Sequence, residues 1–159
     1  MKKILTLLFA FVLMYSCKTN KENTNQEITV ESIDTTTVRK HLYTLASDEM
    51  EGRGTGTPGI EKAAQYIEGE FKRIGLTTYD MLKDYRQTFT FEHRRTRKEI
   101  EAFNIIGVLE GRSKKNEYVV ISGHYDHLGI RKREGQLDSI YNGADDDASG
   151  TTAVLALAE

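Results

Sequence analysis

The chain has 159 residues, of which 38% are hydrophobic, 9% aromatic and 29% charged, with a formal net charge of −2. That apolar and aromatic content excludes a disordered tail, and the near-neutral balance excludes a protein built to neutralise nucleic-acid phosphates. A single cysteine, Cys17, excludes an internal disulfide framework, and the length predicts one domain.

In chain order, Met1-Lys2-Lys3 is a short basic region and Ile4 to Met14 is an apolar run ending at Tyr15-Ser16-Cys17. That run is too short to span a bilayer core, which needs ~20 apolar residues. It predicts a secretory signal peptide over 1–16. Cys17 resembles the acylated acceptor cysteine of bacterial lipoproteins, although Met14 and Tyr15 stand where such proteins usually carry Leu and a small residue. A polar tether then covers 17–32, and the cleaved and anchored chain reaches the membrane only through a lipid at Cys17.

Asp34-Thr35-Thr36 can cap a helix that places Val38, Leu42 and Leu45 on one face. Ser47 to Thr57 reads as a loop. Thr57-Pro58 starts a second helix, with Ile60, Ala63, Ala64, Ile67, Phe71 and Ile74 at helical spacing and Gly75 as its stop. Strands are predicted over Asp84–His93 and Phe103–Leu109, separated by the basic turn 94–98. Tyr118-Val119-Val120-Ile121 is an unbroken apolar run that suits a central strand buried on both faces. From Ala148 onward, Ala153, Val154, Leu157 and Ala158 give a helical pattern. Helices around an interior strand predict an α/β sandwich with a partly parallel sheet, in which ligands bind beyond the C-terminal ends of strands.

The chemistry-bearing residues fall at such a strand end. After Tyr118–Ile121 comes Ser122-Gly123-His124-Tyr125-Asp126-His127. A neutral imidazole makes a good metal ligand when its second nitrogen is held, and Asp126 is placed to hold that of His124. About twenty residues later, Gly143-Ala144-Asp145-Asp146-Asp147-Ala148-Ser149-Gly150 leads into the last helix. Three adjacent carboxylates repel one another unless a cation sits among them. Alone, a His-x-Asp is ordinarily a surface hydrogen bond and an Asp triplet a solvated helix start. Together, one loop apart between a strand and a helix, they point to a metal centre. Carboxylates with an imidazole suit zinc, and a shared carboxylate can bridge two metals.

Four stretches resemble the co-catalytic zinc exopeptidases of metallopeptidase family 28, the aminopeptidase Y and leucyl aminopeptidase relatives. They are Leu45 to Gly54 with the helix after it, Asn104 to Gly111, Gly123 to Gly129 and Gly143 to Gly150. The resemblance implies a three-layer α/β/α sandwich with a mixed, mostly parallel central sheet. It implies that His124 binds zinc, that Asp126 is the catalytic-site acid orienting His124, and that Asp146 bridges two zinc ions. Asp145 and Asp147 become supporting candidates, His127 a pocket residue, and the loop around Arg53 a structural one. The reaction implied is hydrolysis of N-terminal peptide bonds by a zinc-activated water, with a glutamate base moving the proton. A glutaminyl cyclase-like acyltransferase, a carboxypeptidase-type member and a metal-free binding relative are the alternatives.

Other motifs carry less. Gly52-Arg53-Gly54-Thr55-Gly56 follows no strand and lacks the Gly-Lys-Ser/Thr of a phosphate loop. The basic turn 94–98 reads as solvated, and His41 and His93 have no partner at ligand spacing. The family pattern also includes a general base and further ligands that residues 33–159 do not supply. The chain is therefore expected to be the N-terminal part of a larger catalytic domain, inactive and poor at binding metal on its own.

Overall fold

The computed structural model describes residues 32–94, 96–135 and 137–159. The expected signal peptide, Cys17 and nearly all of the tether lie outside the described residues. Among the described residues no helix is long and apolar enough to cross a membrane.

Helix α1, Thr35–Leu45, begins where the Asp34 carboxylate accepts from the backbone N–H groups of Thr36 at 3.0 Å and Thr37 at 3.1 Å. Those donors favour its charged form and hold the Asp34 pKa below the ordinary value. A tight helical segment, Asp48–Arg53, follows. Helix α2, Pro58–Ile74, has Thr57 at its N-terminus and closes on Gly75, whose φ of 88° turns the chain so that the Leu76 N–H donates back to the carbonyl of Phe71 at 2.9 Å. Its apolar stripe buries Ile60, Ala63, Ala64, Ile67 and Phe71 as the spacing predicts. The last helix, α3, spans Ser149–Ala158. Leu45 of α1, Ile67 and Phe71 of α2 and Leu155 of α3 meet in one core with Met50, Leu76, Tyr85 and Ala148.

Among the described residues the strands form three separate two-stranded antiparallel sheets. β1, Thr77–Thr78, pairs with β4, Gly107–Val108. β2, Arg86–Glu92, pairs with β3, Glu99–Ile105, in a hairpin that sets Thr88 opposite Phe103. β5, Gly129–Ile130, pairs with β6, Ile140–Tyr141. Arg86 fastens the hairpin to α2. Its Nη1 and Nη2 donate to Glu61 at 2.8 and 2.7 Å, its Nε donates to Glu68, and its guanidinium lies 4.4 Å above the Phe103 ring.

The architecture is mixed α/β, but the described residues do not form a mostly parallel central sheet. Their one parallel pairing is an isolated bridge between Gly54 and His127. The expected central strand Tyr118–Ile121 is not a strand; its four side chains are 74%, 90%, 85% and 50% exposed. A central strand needs neighbours on both sides to take its N–H and C=O groups, and none of the described strands flanks it. The second predicted strand, Phe103–Leu109, is displaced too. The ladder runs back to Glu99, and Gly107–Val108 leaves the hairpin to pair with β1.

Candidate metal centre

Three loops converge on one face of the fold. The first follows α1 and holds Glu51, Gly52 and Arg53 at φ values of 51°, 64° and 50°. Positive φ is costly for Glu and Arg, and a side chain on Gly52 would meet backbone as well. Its Cβ would lie 2.6 Å from the Gly129 carbonyl oxygen and 2.7 Å from that of Tyr141. The second loop is Ser122–Leu128, which leads into β5. The third runs from β6 through Asn142 and Gly143 into a wide helical turn, Ala144–Ala148, that enters α3. The Asp146–Asp147 peptide bond in that turn is cis.

Packing of the second loop on the start of α3 fixes His124. Gly123 permits it, because a Cβ there would sit 2.8 Å from the Gly150 carbonyl carbon. The Asp147 carboxylate accepts from the backbone N–H of His124 at 3.2 Å and from that of Gly150 at 2.9 Å. The Thr151 hydroxyl donates to the His124 carbonyl at 3.0 Å. The imidazole then lies between two acids. Its Nδ1 is 3.1 Å from the Asp126 carbonyl oxygen and 3.4 Å from Asp126 Oδ1. A carbonyl can only accept, so Nδ1 carries a proton, and in the neutral ring Nε2 is the nitrogen left with the lone pair a metal would take. Nε2 lies 3.1 Å from Asp146 Oδ1, while His127 Nδ1 lies 3.5 Å from Asp146 Oδ2. Each oxygen of Asp146 therefore faces one imidazole.

Burial works against the charged form of His124. The Asp126 carbonyl and the charges of Asp126, Asp147 and Asp146 outweigh it, and the pKa is raised above 6.5. The imidazole, Asp126 and Asp146 are each about half exposed or more, so the centre opens to solvent. Imidazole nitrogen and carboxylate oxygen are zinc-type donors, and the orientation of His124 by Asp126 fits that ion. Asp145 sends no side-chain contact into the group; its carbonyl accepts from the Ser149 hydroxyl.

A second set of metal-type donors exists elsewhere. His41, Glu70 and Glu159 place ligand atoms within 4.8 Å of one another. Their charges are already met by cations. Lys40 Nζ donates to Glu70 Oε1 at 2.9 Å, and Arg73 donates to Glu70 Oε2 at 2.5 Å and also to Glu159. A metal would have to displace an ammonium and a guanidinium there, so the Asp126–Asp146 face is the better cation site. The sequence hides this cluster because His41 lies in α1, Glu70 in α2 and Glu159 just past α3.

Residues 104–159 match the model of Peptidase family M28. The match covers both loops that carry His124 and Asp146 and supports a peptidase. No curated protein matches the chain.

One contribution escapes sequence reading. The Thr55 hydroxyl donates to Asp126 Oδ2 at 2.8 Å, bringing the glycine-rich loop into the site. It has no local signal, since the partner lies 71 residues away. Of the two supporting candidates that flank Asp146, Asp147 ties His124 to α3.

Proposed function

We propose that this protein is a zinc-dependent exopeptidase, an aminopeptidase that hydrolyses N-terminal peptide bonds. The observation that carries the reading is the placement of Asp146 with one imidazole at each oxygen, in the segment that matches a peptidase family. His124 and Asp146 would hold zinc, with Asp146 shared between two ions. Asp126 keeps His124 in the tautomer that leaves Nε2 free. When bound, zinc polarises a scissile carbonyl and lowers the pKa of water to about 7. The open face beside Asp146 admits a peptide, and Thr55 holds the Asp126 carboxylate so that His124 does not rotate away.

The same reading makes 1–16 an export signal and 17–32 a tether anchored by a lipid on Cys17, with 33–159 belonging to the catalytic domain. Its support is the basic, apolar and polar order of residues 1–26. The purified complete protein is expected to contain zinc and to release chromophore from aminoacyl anilides. Elemental analysis without zinc would overturn the metal reading. Zinc with hydrolysis confined to other acyl compounds would overturn the aminopeptidase one. His124→Ala should abolish hydrolysis with far-UV helicity retained.

A further inference from the structure

Arg53 is fully buried, a rare condition for an arginine, and no carboxylate pairs with it directly. Its side chain is spent on carbonyl oxygens from three separate segments. Nε donates to Tyr125 O at 2.7 Å, Nη1 to Asn142 O at 2.6 Å and also to Leu45 O, and Nη2 to Gly143 O at 2.9 Å. Its main chain joins in, because the Arg53 carbonyl accepts from the His127 N–H at 3.0 Å. Tyr125 lies between His124 and Asp126, and Gly143 opens the turn that carries Asp146. One guanidinium thus fixes the spacing between the loop of the imidazoles and the loop of the bridging carboxylate.

Charge adds to geometry. Burial works against the cationic form of Arg53 and holds its pKa below the ordinary value, while Asp126, Asp146 and Asp147 lie close enough to oppose that shift. Their mutual repulsion would spread the two loops if nothing positive lay beneath them. A lysine cannot substitute, since an ammonium has three donors at one point and Arg53 uses four N–H directions of a planar fork.

We propose that Arg53 is the positioning residue of the metal centre: from below, it holds His124 and Asp146 at ligand separation before any ion binds. This rests on the zinc reading above. It concerns how the site is assembled, not which reaction it performs.

The test uses the complete protein, with zinc affinity measured by chelator competition and the visible spectrum measured at saturating cobalt. Arg53→Met and Arg53→Lys are compared with wild type and with Leu76→Ala, a core substitution at a residue that belongs to neither loop. Both Arg53 variants should lose affinity by on the order of 10- to 100-fold, as expected when an outer partner of a ligand is removed. Their cobalt bands should shift in position or intensity, whereas Leu76→Ala should keep the wild-type spectrum. Wild-type affinity and spectrum in both variants would overturn the positioning role. A complete wild-type protein that binds neither metal would instead overturn the zinc reading. Should both substitutions unfold the chain, the Arg53 Nε–H signal of the wild-type protein decides by nuclear magnetic resonance. It should move on zinc addition, and an unmoved signal would overturn the proposal.

Discussion

At the scale of the residue, the site depends on atoms that anchor ligands as much as on the ligands. Thr55 is the plainest case, because one hydroxyl holds the acid behind His124. Thr55→Val removes that donor at nearly constant volume. Zinc affinity in chelator competition should fall on the order of 10-fold or more, while Thr55→Ser should stay near wild type. Equal affinity for Val and wild type would remove the hydroxyl from the site. The placement of His124, Asp126 and Asp146 was legible in the sequence because each lies in a short motif beside a turn. Thr55, and the carbonyls gathered by Arg53, were not. Their partners come from residues far along the chain, and a spacing rule has no reach over such separations. The sequence also led us to expect the Asp126 carboxylate to hold His124, whereas the backbone carbonyl of that residue is the nearer acceptor.

At the scale of the element, helices read well and strands poorly. α1 begins where Asp34 predicts, and α2 begins and ends where Pro58 and Gly75 predict, because cap and stop chemistry is local. Strands depend on partners, so Tyr118–Ile121, apolar enough for a sheet interior, has no ladder. α3 ties the site to the core: Thr151 and Gly150 hold the His124 loop at one end, and Leu155 is fully buried one turn later. Leu155→Ala should cost ~2–5 kcal/mol in urea unfolding, the range for emptying a filled leucine site. A loss well below ~1 kcal/mol would mean that α3 contributes little to the core.

At the scale of the whole molecule, the three helices also meet in a charged cluster that makes stability depend on pH. His41 is fully buried, with Nδ1 2.7 Å from the Tyr66 hydroxyl and Nε2 3.7 Å from Glu159. Burial pushes its pKa below 6.5 and outweighs the nearby charges of Glu70 and Glu159, with Lys40 acting in the same sense as burial. The unfolded chain thus binds the proton more readily, so this contribution is present above pH 6.5 and is lost as pH falls through the folded value. The thermal midpoint should drop between pH 7.5 and pH 5.5, and His41→Gln should flatten the slope over that interval. An equal slope in wild type and variant would locate the effect elsewhere. Arg53 has a consequence on this scale as well. Its side-chain bonds close loops of 72, 89 and 90 residues. Such closures come at a large entropic cost and form after local helices during folding. In a chain with one cysteine, the guanidinium thus acts as a polar cross-link, and the face that carries the chemistry is the last part of the fold to be assembled.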